Sequence, residues 1–299
     1  MDKVQAMNTF VTIVNAGSLT AAASALDKSL PTIVRTLASL EQSLGVRLLQ
    51  RTTRRMTLTE EGRHYFERCQ KILADIAEAE RELSTEHQEP SGSLRVTASI
   101  MFGQMHVSPA LVRFLERYSN MQVNLLLADR VVNLVEEGID IAIRIGPLAD
   151  SSMIAIAVGE VRRIVCASPA LLTQQGSPVH PSALADSSAI RFTGLTPGLH
   201  WPFQIYGKTR NVPMHFVYTC NQAGAAIAAC EAGLGYGRFL SYMVEPQLKA
   251  GTLRRVLEDF EDQAIPVHVV YPHARYVSTR NRVFIDWITA DLRQRLGYH

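Results

Sequence analysis

Three arginines occur within five residues of the N-terminal region, at Arg51, Arg54 and Arg55. They stand between the apolar pair Leu48 and Leu49 and the next apolar stretch. Residues 1–65 hold eight Lys and Arg against five Asp and Glu, whereas the whole chain has a formal net charge of only +2. Guanidinium groups on an exposed turn are suited to phosphate contact. The turn therefore predicts a local anion-binding surface, with these candidate contacts: Arg51, Thr53, Arg54 and Arg55.

The segment before the arginines has the pattern of a helix with one buried side. Ser29 is a favourable N-cap, and Pro31 is tolerated in a first helical turn. Apolar residues then recur at spacings of four, three and four up to Gly45, which indicates one buried stripe: Ile33, Leu37, Leu40 and Leu44. The other faces carry short polar groups and one cation, which suit a DNA major groove. The candidate DNA contacts of this helix are Ser29, Leu30, Pro31, Thr32, Val34, Arg35 and Thr36.

Shorter elements would hold this helix in place. Residues 4–14 have the apolar face of a first helix, and Ser18 caps a second helix of small residues that ends near Leu26. The basic turn then forms a hairpin wing. Together these elements predict a winged helix-turn-helix over residues 1–58. The alternative is a small helical bundle with a solvated charge cluster, and the agreement of caps, stripe and basic turn argues against it.

Residues 59–89 are predicted to form a long linker helix. Thr59 caps it, and acidic residues occupy its first turn. Apolar residues alternate at four and three, which indicates a seam that packs on a partner helix: Leu58, Gly62, Tyr65, Cys69, Ile72, Ile76, Ala79 and Leu83. The seam packs either on its own domain or on a second copy of the chain. Dimerisation is favoured because two heads would read two half-sites.

Residues 90–299 alternate strands and helices, which predicts an α/β domain with mostly parallel sheets. Among its elements are strands at 94–98 and 139–145, a short helix at 131–137 and a strand at 212–218. Two chain crossings, near 161–164 and 264–268, would divide the domain into two lobes. Lobe I comprises about 90–162 and 267–299, and lobe II about 163–266. A ligand cleft is expected between them.

Candidate ligand contacts follow from that arrangement. Backbone N–H groups after the first strand and before the Ala-rich helix near 221–232 favour a carboxylate or another small anion. Arg144 would supply a counter-charge and an aromatic pair an apolar wall. The candidate effector-binding residues are Ser99, Ile100, Met101, Phe102, Arg144, Trp201, Phe203 and Asn221. The alternatives stay open: Ser99 as a helix cap, Arg144 as an ion-pair partner, and the aromatic pair as core.

Composition and motifs narrow the function further. Apolar residues make up 47% of the chain and charged residues 19%, typical of a globular protein. No signal-type segment or bilayer-length apolar run occurs, which predicts a cytoplasmic protein without a membrane partner. The sequence holds no Walker A, HExxH or GxSxG motif and no Cys/His metal spacing. A non-enzyme without metal or cofactor is therefore expected. The competing hypothesis is a cytosolic small-molecule binding protein or enzyme that uses the two-lobed domain, with the helical head only for assembly.

The chain resembles the LysR-type transcriptional regulators, from its head through the rest of its length. The matching head residues are Ser18, Ala21, Ala22, Leu26, Ser29, Arg35, Leu40, Glu41, Leu44, Gly45, Leu48, Arg51, Leu58, Thr59 and Gly62. The family usually has Gln at the place of Leu30 and often Ser at the place of Val34, which leaves the operator sequence open.

The resemblance implies a bacterial, ligand-responsive transcriptional regulator at the nucleoid. Its two-lobed domain would be similar to type 2 periplasmic binding proteins, with a small effector between the lobes. The implied partners are double-stranded promoter DNA with an interrupted inverted repeat, RNA polymerase, and further copies of the chain in a homodimer or homotetramer. Some members of the family sense peroxide or thiols, which makes Cys220 and Cys230 a candidate redox pair. Free thiols are the default in a reducing cytosol.

Overall fold

The computed structural model describes residues 2–51, 56–82, 89–148, 153–273 and 277–298. The chain divides into two compact units, Met1–Gln88 and Glu89–His299. No helix of the described residues is long and apolar enough to cross a membrane.

The first unit is a helical head with a two-stranded wing. Its elements are α1 (Lys3–Ala16), α2 (Leu19–Ala25), α3 (Leu30–Leu44), β1 (Leu49–Arg51), β2 (Met56–Leu58) and α4 (Glu60–Glu82). The side chain of Ser18 accepts the Ala21 N–H and so caps α2. Gly45 ends α3 in the left-handed region, at φ +70°, which glycine adopts without strain. Strands β1 and β2 pair antiparallel, so the predicted winged helix-turn-helix is confirmed.

The core of the head joins all four helices. Its buried apolar side chains include Phe10, Ile13, Ile33, Leu37, Leu40, Leu48 and Cys69. Cys69 is one turn beyond Tyr65 on α4, and the Tyr65 ring lies 5.9 Å from that of Phe10. The first half of the predicted seam therefore packs on its own head, as the alternative reading proposed. Further along α4, Ile72 stays 40% exposed in the single chain.

The second unit has two five-stranded sheets and a separate hairpin. Its strands are β3 (Gly92–Ala98), β4 (Met121–Leu127), β5 (Ile141–Ile145), β6 (Met153–Val161), β7 (Arg163–Ala167), β8 (Ser188–Phe192), β9 (His200–Ile205), β10 (Lys208–Pro213), β11 (His215–Cys220), β12 (Tyr236–Leu240), β13 (Arg254–Val256) and β14 (Ile265–Pro272). Its helices are α5 (Ile100–Phe102), α6 (Ser108–Arg117), α7 (Pro169–Gln175), α8 (Ala223–Glu231), α9 (Ser241–Ala250) and α10 (Thr279–Leu296). One π-helical turn, Gly103–Val107, joins α5 to α6.

The two sheets define the two lobes. Lobe I has the strand order β4-β3-β5-β14-β6, and lobe II the order β11-β8-β12-β7-β13. The chain crosses between them twice, from β6 to β7 through Arg162 and from β13 to β14. The two-lobed α/β fold is thus confirmed. The short hairpin of β9 and β10 adds to lobe II, where it covers one face of the core.

Three local predictions were wrong. Each sheet is mixed rather than mostly parallel, because β14 and β7 come directly from the other lobe without a helical crossover and pair antiparallel with both neighbours. Residues 131–137 form a turn rather than a helix. The Asn133 side chain accepts the N–H groups of Val135 and Glu136 and competes with helical hydrogen bonds. Residues 212–218 are split at Met214 between β10 and β11.

Candidate functional site

The helix α3 presents most of the predicted DNA-contacting side chains at the surface of the head. Its N-terminal end exposes Ser29, Leu30, Pro31 and Arg35, and Leu30 is 41% exposed although it is apolar. Thr32, Val34 and Thr36 are half-buried. The hydroxyl groups of Ser29 and Thr32 are 2.8 Å apart, and the Thr36 hydroxyl donates to the Thr32 carbonyl at 2.9 Å. These bonds fix the polar side chains beside Arg35.

The wing is tied to the helices on both sides. Glu41 of α3 accepts the backbone N–H groups of Leu48 and Leu49 at 2.8 and 3.2 Å. On the other side, the Thr59 hydroxyl donates to the Arg47 carbonyl at 2.7 Å and accepts the Gly62 N–H at 2.8 Å. Sequence reasoning did not identify Glu41 as a wing anchor, because its partners are seven and eight residues away. The one indication in the sequence is that Glu41 is an acidic residue near the C-terminal end of α3, where the chain leaves the helix toward the wing.

The basic turn itself is partly outside the described residues. Thr53, Arg54 and Arg55 lie there, and of Arg51 only the backbone is described, in β1. The ends of the two strands are fixed, since Arg51 is paired with Met56 in the antiparallel register. Arg51 and Met56, the residues that flank this segment, therefore lie opposite each other at the end of the hairpin.

The second unit holds a cavity of about 280 Å³ between its lobes. Lobe I contributes the ends of β3 and β5 and the loop after β4, and lobe II contributes the start of β7, the end of β8 and the start of α9. The lining residues with polar or charged side chains are Thr97, Ser99, Asp129, Arg130, Arg144, Arg163 and Tyr242. Ser99 and Arg144 are thus brought together at one cavity.

Ser99 does not act as a side-chain helix cap. It holds the N-cap position of α5, but its hydroxyl makes no capping bond, and this buried oxygen has no hydrogen-bond partner among the described residues. The Tyr242 hydroxyl is likewise buried and forms no hydrogen bond of normal geometry with the described residues. Burial raises the pKa of Tyr242, and the neighbouring Ser99 hydroxyl opposes that shift. Tyr242 was missed from the sequence because an aromatic residue after a strand has the pattern of core.

Arg144 is half-buried at the edge of the cavity. Its guanidinium donates to the Val132 carbonyl, and within the described part of the chain no carboxylate forms an ion pair with it. Burial lowers the pKa of Arg144, since desolvation disfavours its charged form. Of the two readings of this residue, an ion-pair partner and a cation that faces the cleft, the geometry favours the second.

The N–H groups predicted to receive an anion are not all available. The Asp129 carboxylate accepts the Ile100 N–H at 3.0 Å, so a protein side chain already occupies the start of α5. Ile100 and Met101 line a second cavity of about 190 Å³, together with Asp129 and Gln222. Asn221 is exposed and directly precedes Gln222, which lines this second cavity.

Three aromatic candidates lie outside the two cavities. Phe102 is fully buried and packs between His106 and Tyr242, with ring centroids 4.7 and 5.1 Å away. Trp201 and Phe203 are buried in the core of lobe II, where the inner face of the β9–β10 hairpin meets β8 and β12. Phe102, predicted to line the cleft, is therefore corrected to a core residue. Trp201 and Phe203 are corrected from an apolar ligand wall to core, which is the alternative that the sequence left open for this pair.

The four cysteines lie in two kinds of environment. Cys69, Cys166 and Cys230 are buried, and Cys220 is half-buried. The Cys230 thiol donates to the Cys166 backbone carbonyl, with 3.4 Å between sulfur and oxygen. Cys220 ends β11, whereas Cys230 lies in the last turn of α8. Both are free thiols, and the redox pair of Cys220 and Cys230 stays a prediction.

Comparisons with known proteins match both units. Residues 4–63 match the family described as "Bacterial regulatory helix-turn-helix protein, lysR family", and residues 87–293 match "LysR substrate binding domain". A transcriptional repressor of Pseudomonas aeruginosa is 38% identical over 96% of this chain and 92% of its own length. The regulator CrgA of Neisseria meningitidis serogroup C is 33% identical over 97% of both chains.

Solved structures agree with these matches. The structure of CrgA from Neisseria meningitidis has a TM-score of 0.62 at 31% identity and covers 96% of this chain and 98% of its own. The full-length Vibrio cholerae virulence activator AphB has a TM-score of 0.61 at 28% identity, over 96% and 98%. These relatives are named as transcriptional regulators. The chain therefore belongs to the LysR family of transcriptional regulators, with a DNA-binding helix-turn-helix in its first unit and an effector-binding domain in its second.

Proposed function

We propose that this regulator binds an interrupted inverted repeat in promoter DNA as a dimer or a dimer of dimers, and that a small effector binds between the lobes of its second unit. The DNA contacts are the exposed end of α3 and the arginine wing. The protein would act in the cytoplasm at the nucleoid, where RNA polymerase is the further partner that its family membership suggests. It would have no enzymatic activity, and its two-lobed domain would serve sensing.

The observation that carries the effector site is a set of buried polar atoms around one cavity. Ser99 Oγ, Tyr242 OH and Arg163 Nε are each buried without a hydrogen-bond partner among the described residues, and all three residues line the 280 Å³ cavity. An unsatisfied buried polar group costs about 1–3 kcal/mol. A ligand that hydrogen-bonds these atoms would recover that cost, which supports this cavity as the effector site.

The same atoms link binding to a change of shape. Ser99 belongs to lobe I, whereas Tyr242 and Arg163 belong to lobe II. A ligand bonded to both sets favours the arrangement in which the lobes are close. It shifts the protein between states only as far as its affinity differs between them. Regulation would follow from that difference.

The substitution Tyr242→Phe tests the site. Because the Ser99 hydroxyl is the polar group that faces the lost hydroxyl, the free energy of unfolding without ligand should change by no more than about 1 kcal/mol. Affinity for the effector should fall by about five- to tenfold, the worth of one neutral hydrogen bond. Thermal-shift screening of the full-length protein with small carboxylates, aromatic acids and amino acids identifies the ligand. Calorimetric titration then measures the affinity of the parent protein and of the Tyr242→Phe variant for it.

Tyr236→Phe is the matched control. Tyr236 is also buried, but its hydroxyl donates to the Gly176 carbonyl at 3.5 Å, and it does not line the cavity. Its loss should lower stability and leave ligand affinity unchanged. Equal ligand affinity of Tyr242→Phe and the parent protein would place the effector elsewhere.

The dimer is tested at Ile72, the apolar seam residue of α4 that is exposed in the single chain. Replacing it with Glu puts a charge into the proposed helix pair, which should shift the protein toward monomer in light scattering. Affinity for an inverted repeat should approach that for a single half-site. Gln70→Glu, at an exposed position of the same helix off the seam, changes the charge equally and should leave the assembly intact. An unchanged mass for both variants would exclude this seam as the interface.

A further inference from the structure

The charged side chains around the 280 Å³ cavity fall into two groups. Arg130 forms a two-pronged ion pair with Glu137, at 2.7 and 2.6 Å. Arg163 lies 3.8 Å from Asp262, although its Nε remains without a partner. The charges of these two arginines are therefore already balanced by protein carboxylates.

Two charges of opposite sign remain. Arg144 donates only to a backbone carbonyl, and Asp129 accepts only a backbone N–H, as far as the described residues go. Both residues line the cavity, and neither forms an ion pair with another described side chain. The cavity thus presents one cation and one anion without an ion-pair partner among the described residues, although Glu137 lies close enough to favour the charged form of Arg144. A purely anionic ligand would satisfy Arg144 but would face repulsion from Asp129.

We propose that the effector is a small zwitterion, such as an α-amino acid, whose carboxylate binds Arg144 and whose ammonium group binds Asp129. This inference rests on the proposed effector site and names the ligand class of that site. The ligand carboxylate and the ligand ammonium group then each form a charge-assisted hydrogen bond with a side chain of opposite charge. The net charge of the cavity does not change on binding. The Ser99 and Tyr242 hydroxyls face a polar, uncharged part of the ligand.

The size of the cavity agrees with a ligand of this class. At roughly 30 Å³ for each water molecule in the liquid, 280 Å³ holds the equivalent of about nine waters. That volume accommodates a compact amino acid. The adjoining cavity of about 190 Å³, which shares Asp129, gives room for a longer side chain.

The test uses the full-length protein and ligands that differ in one charge. Thermal shift and calorimetric titration are carried out with the standard amino acids, and for each one that binds with its two matched analogues. For L-threonine these are 3-hydroxybutyrate, which lacks the ammonium group, and 1-amino-2-propanol, which lacks the carboxylate. The zwitterion should bind about 10- to 100-fold more tightly than either analogue, the worth of one hydrogen bond to a charged group.

Two substitutions divide the contacts. Asp129→Asn should lower affinity for the zwitterion to that for the matched acid and leave the acid unaffected or bound more tightly. Arg144→Gln should abolish the preference for a carboxylate, and Arg144→Lys should restore part of it, which separates a charge effect from misfolding. Asp186→Asn, an equal charge change at an exposed position that does not line either cavity, should leave all affinities unchanged.

The outcomes distinguish this inference from the proposed site. Carboxylates that bind as tightly as their amino acids, with an affinity lowered by Tyr242→Phe, would overturn the zwitterion and keep the cavity as the effector site. The same conclusion on ligand class follows if Asp129→Asn does not change the preference. If no amino acid shifts the melting temperature at millimolar concentration, the zwitterion is likewise overturned.

Discussion

Replacing Gly62 with alanine is expected to unfold the head and abolish DNA binding while the second unit stays folded. A Cβ atom at this position would lie 1.9 Å from the Leu48 backbone oxygen and 2.9 Å from the Thr59 hydroxyl. Backbone atoms cannot move aside as a flexible side chain does, so the contact must break. The wing is held at the same place, because the Thr59 N–H donates to the Leu48 carbonyl at 3.0 Å. The cost should be about 3 kcal/mol or more, a large fraction of the stability of a small domain.

The position of the tryptophans makes this measurable. Both tryptophans of the chain, Trp201 and Trp287, belong to the second unit. Tryptophan fluorescence should therefore report an unfolding midpoint like that of the parent protein, whereas far-UV circular dichroism should show lost helix and anisotropy should show lost promoter binding. Gly224→Ala is the control, because its Cβ meets no atom within 4 Å and it stands inside α8. That variant should bind DNA normally. Normal DNA binding by Gly62→Ala would contradict the packing described.

Removing the three wing arginines is expected to weaken DNA binding by on the order of 100-fold at physiological salt. The variant carries Arg51→Ala, Arg54→Ala and Arg55→Ala. If each guanidinium contacts one phosphate, the slope of log affinity against log salt should become shallower by about 0.9 per contact, or nearly 3 in all. The loss should be similar for every DNA sequence, because phosphate contacts carry no sequence information.

Arg35→Ala should behave differently. Arg35 is exposed on α3, the proposed recognition helix, so its guanidinium would contact base edges in the major groove. Its loss should cost about 1–3 kcal/mol on the best operator and less on unrelated DNA. Fluorescence anisotropy over a salt series, on operator and random duplexes, measures both effects.

The control removes three positive charges from the second unit. Lys208, Arg210 and Lys249 are exposed there, and their joint replacement with alanine gives the same net charge as the wing variant. Its DNA affinity should match that of the parent protein. If the wing variant and this control bind DNA equally well, the wing does not contact phosphate. The hypothesis of a head used only for assembly would then regain support.

The head was predictable because its signals are local. The cap at Ser18, the stop at Gly45 and the buried stripe of α3 each involve residues within a few positions of one another, where backbone geometry alone decides the outcome. The hairpin was also predictable, because a polar, basic turn separates Leu48 and Leu49 from the next apolar stretch. The Glu41 anchor was not, because it depends on where the chain returns after leaving the helix.

The cavity was only partly predictable. Ser99 directly follows β3 and Arg144 lies at the end of β5, where the ends of strands meet in such folds, and both residues line the cavity. Trp201 and Phe203 failed for the opposite reason: an apolar pair predicts burial, but the sequence does not say what covers it. The helix expected at 131–137 failed because one side chain, Asn133, took over the N–H groups that a helix would use.

The amino-acid sequence by itself thus determined the helix-turn-helix, the wing, the linker helix and the two-lobed α/β domain, since periodicity, caps and turn residues act over short distances. Only the tertiary structure decided which polar atoms meet across the lobes. Tyr242 faces Ser99, and Asp129 takes the N–H of Ile100, because strands distant in the chain end at one place. The charges without an ion-pair partner at that cavity, rather than any motif, are the basis of the proposed ligand class.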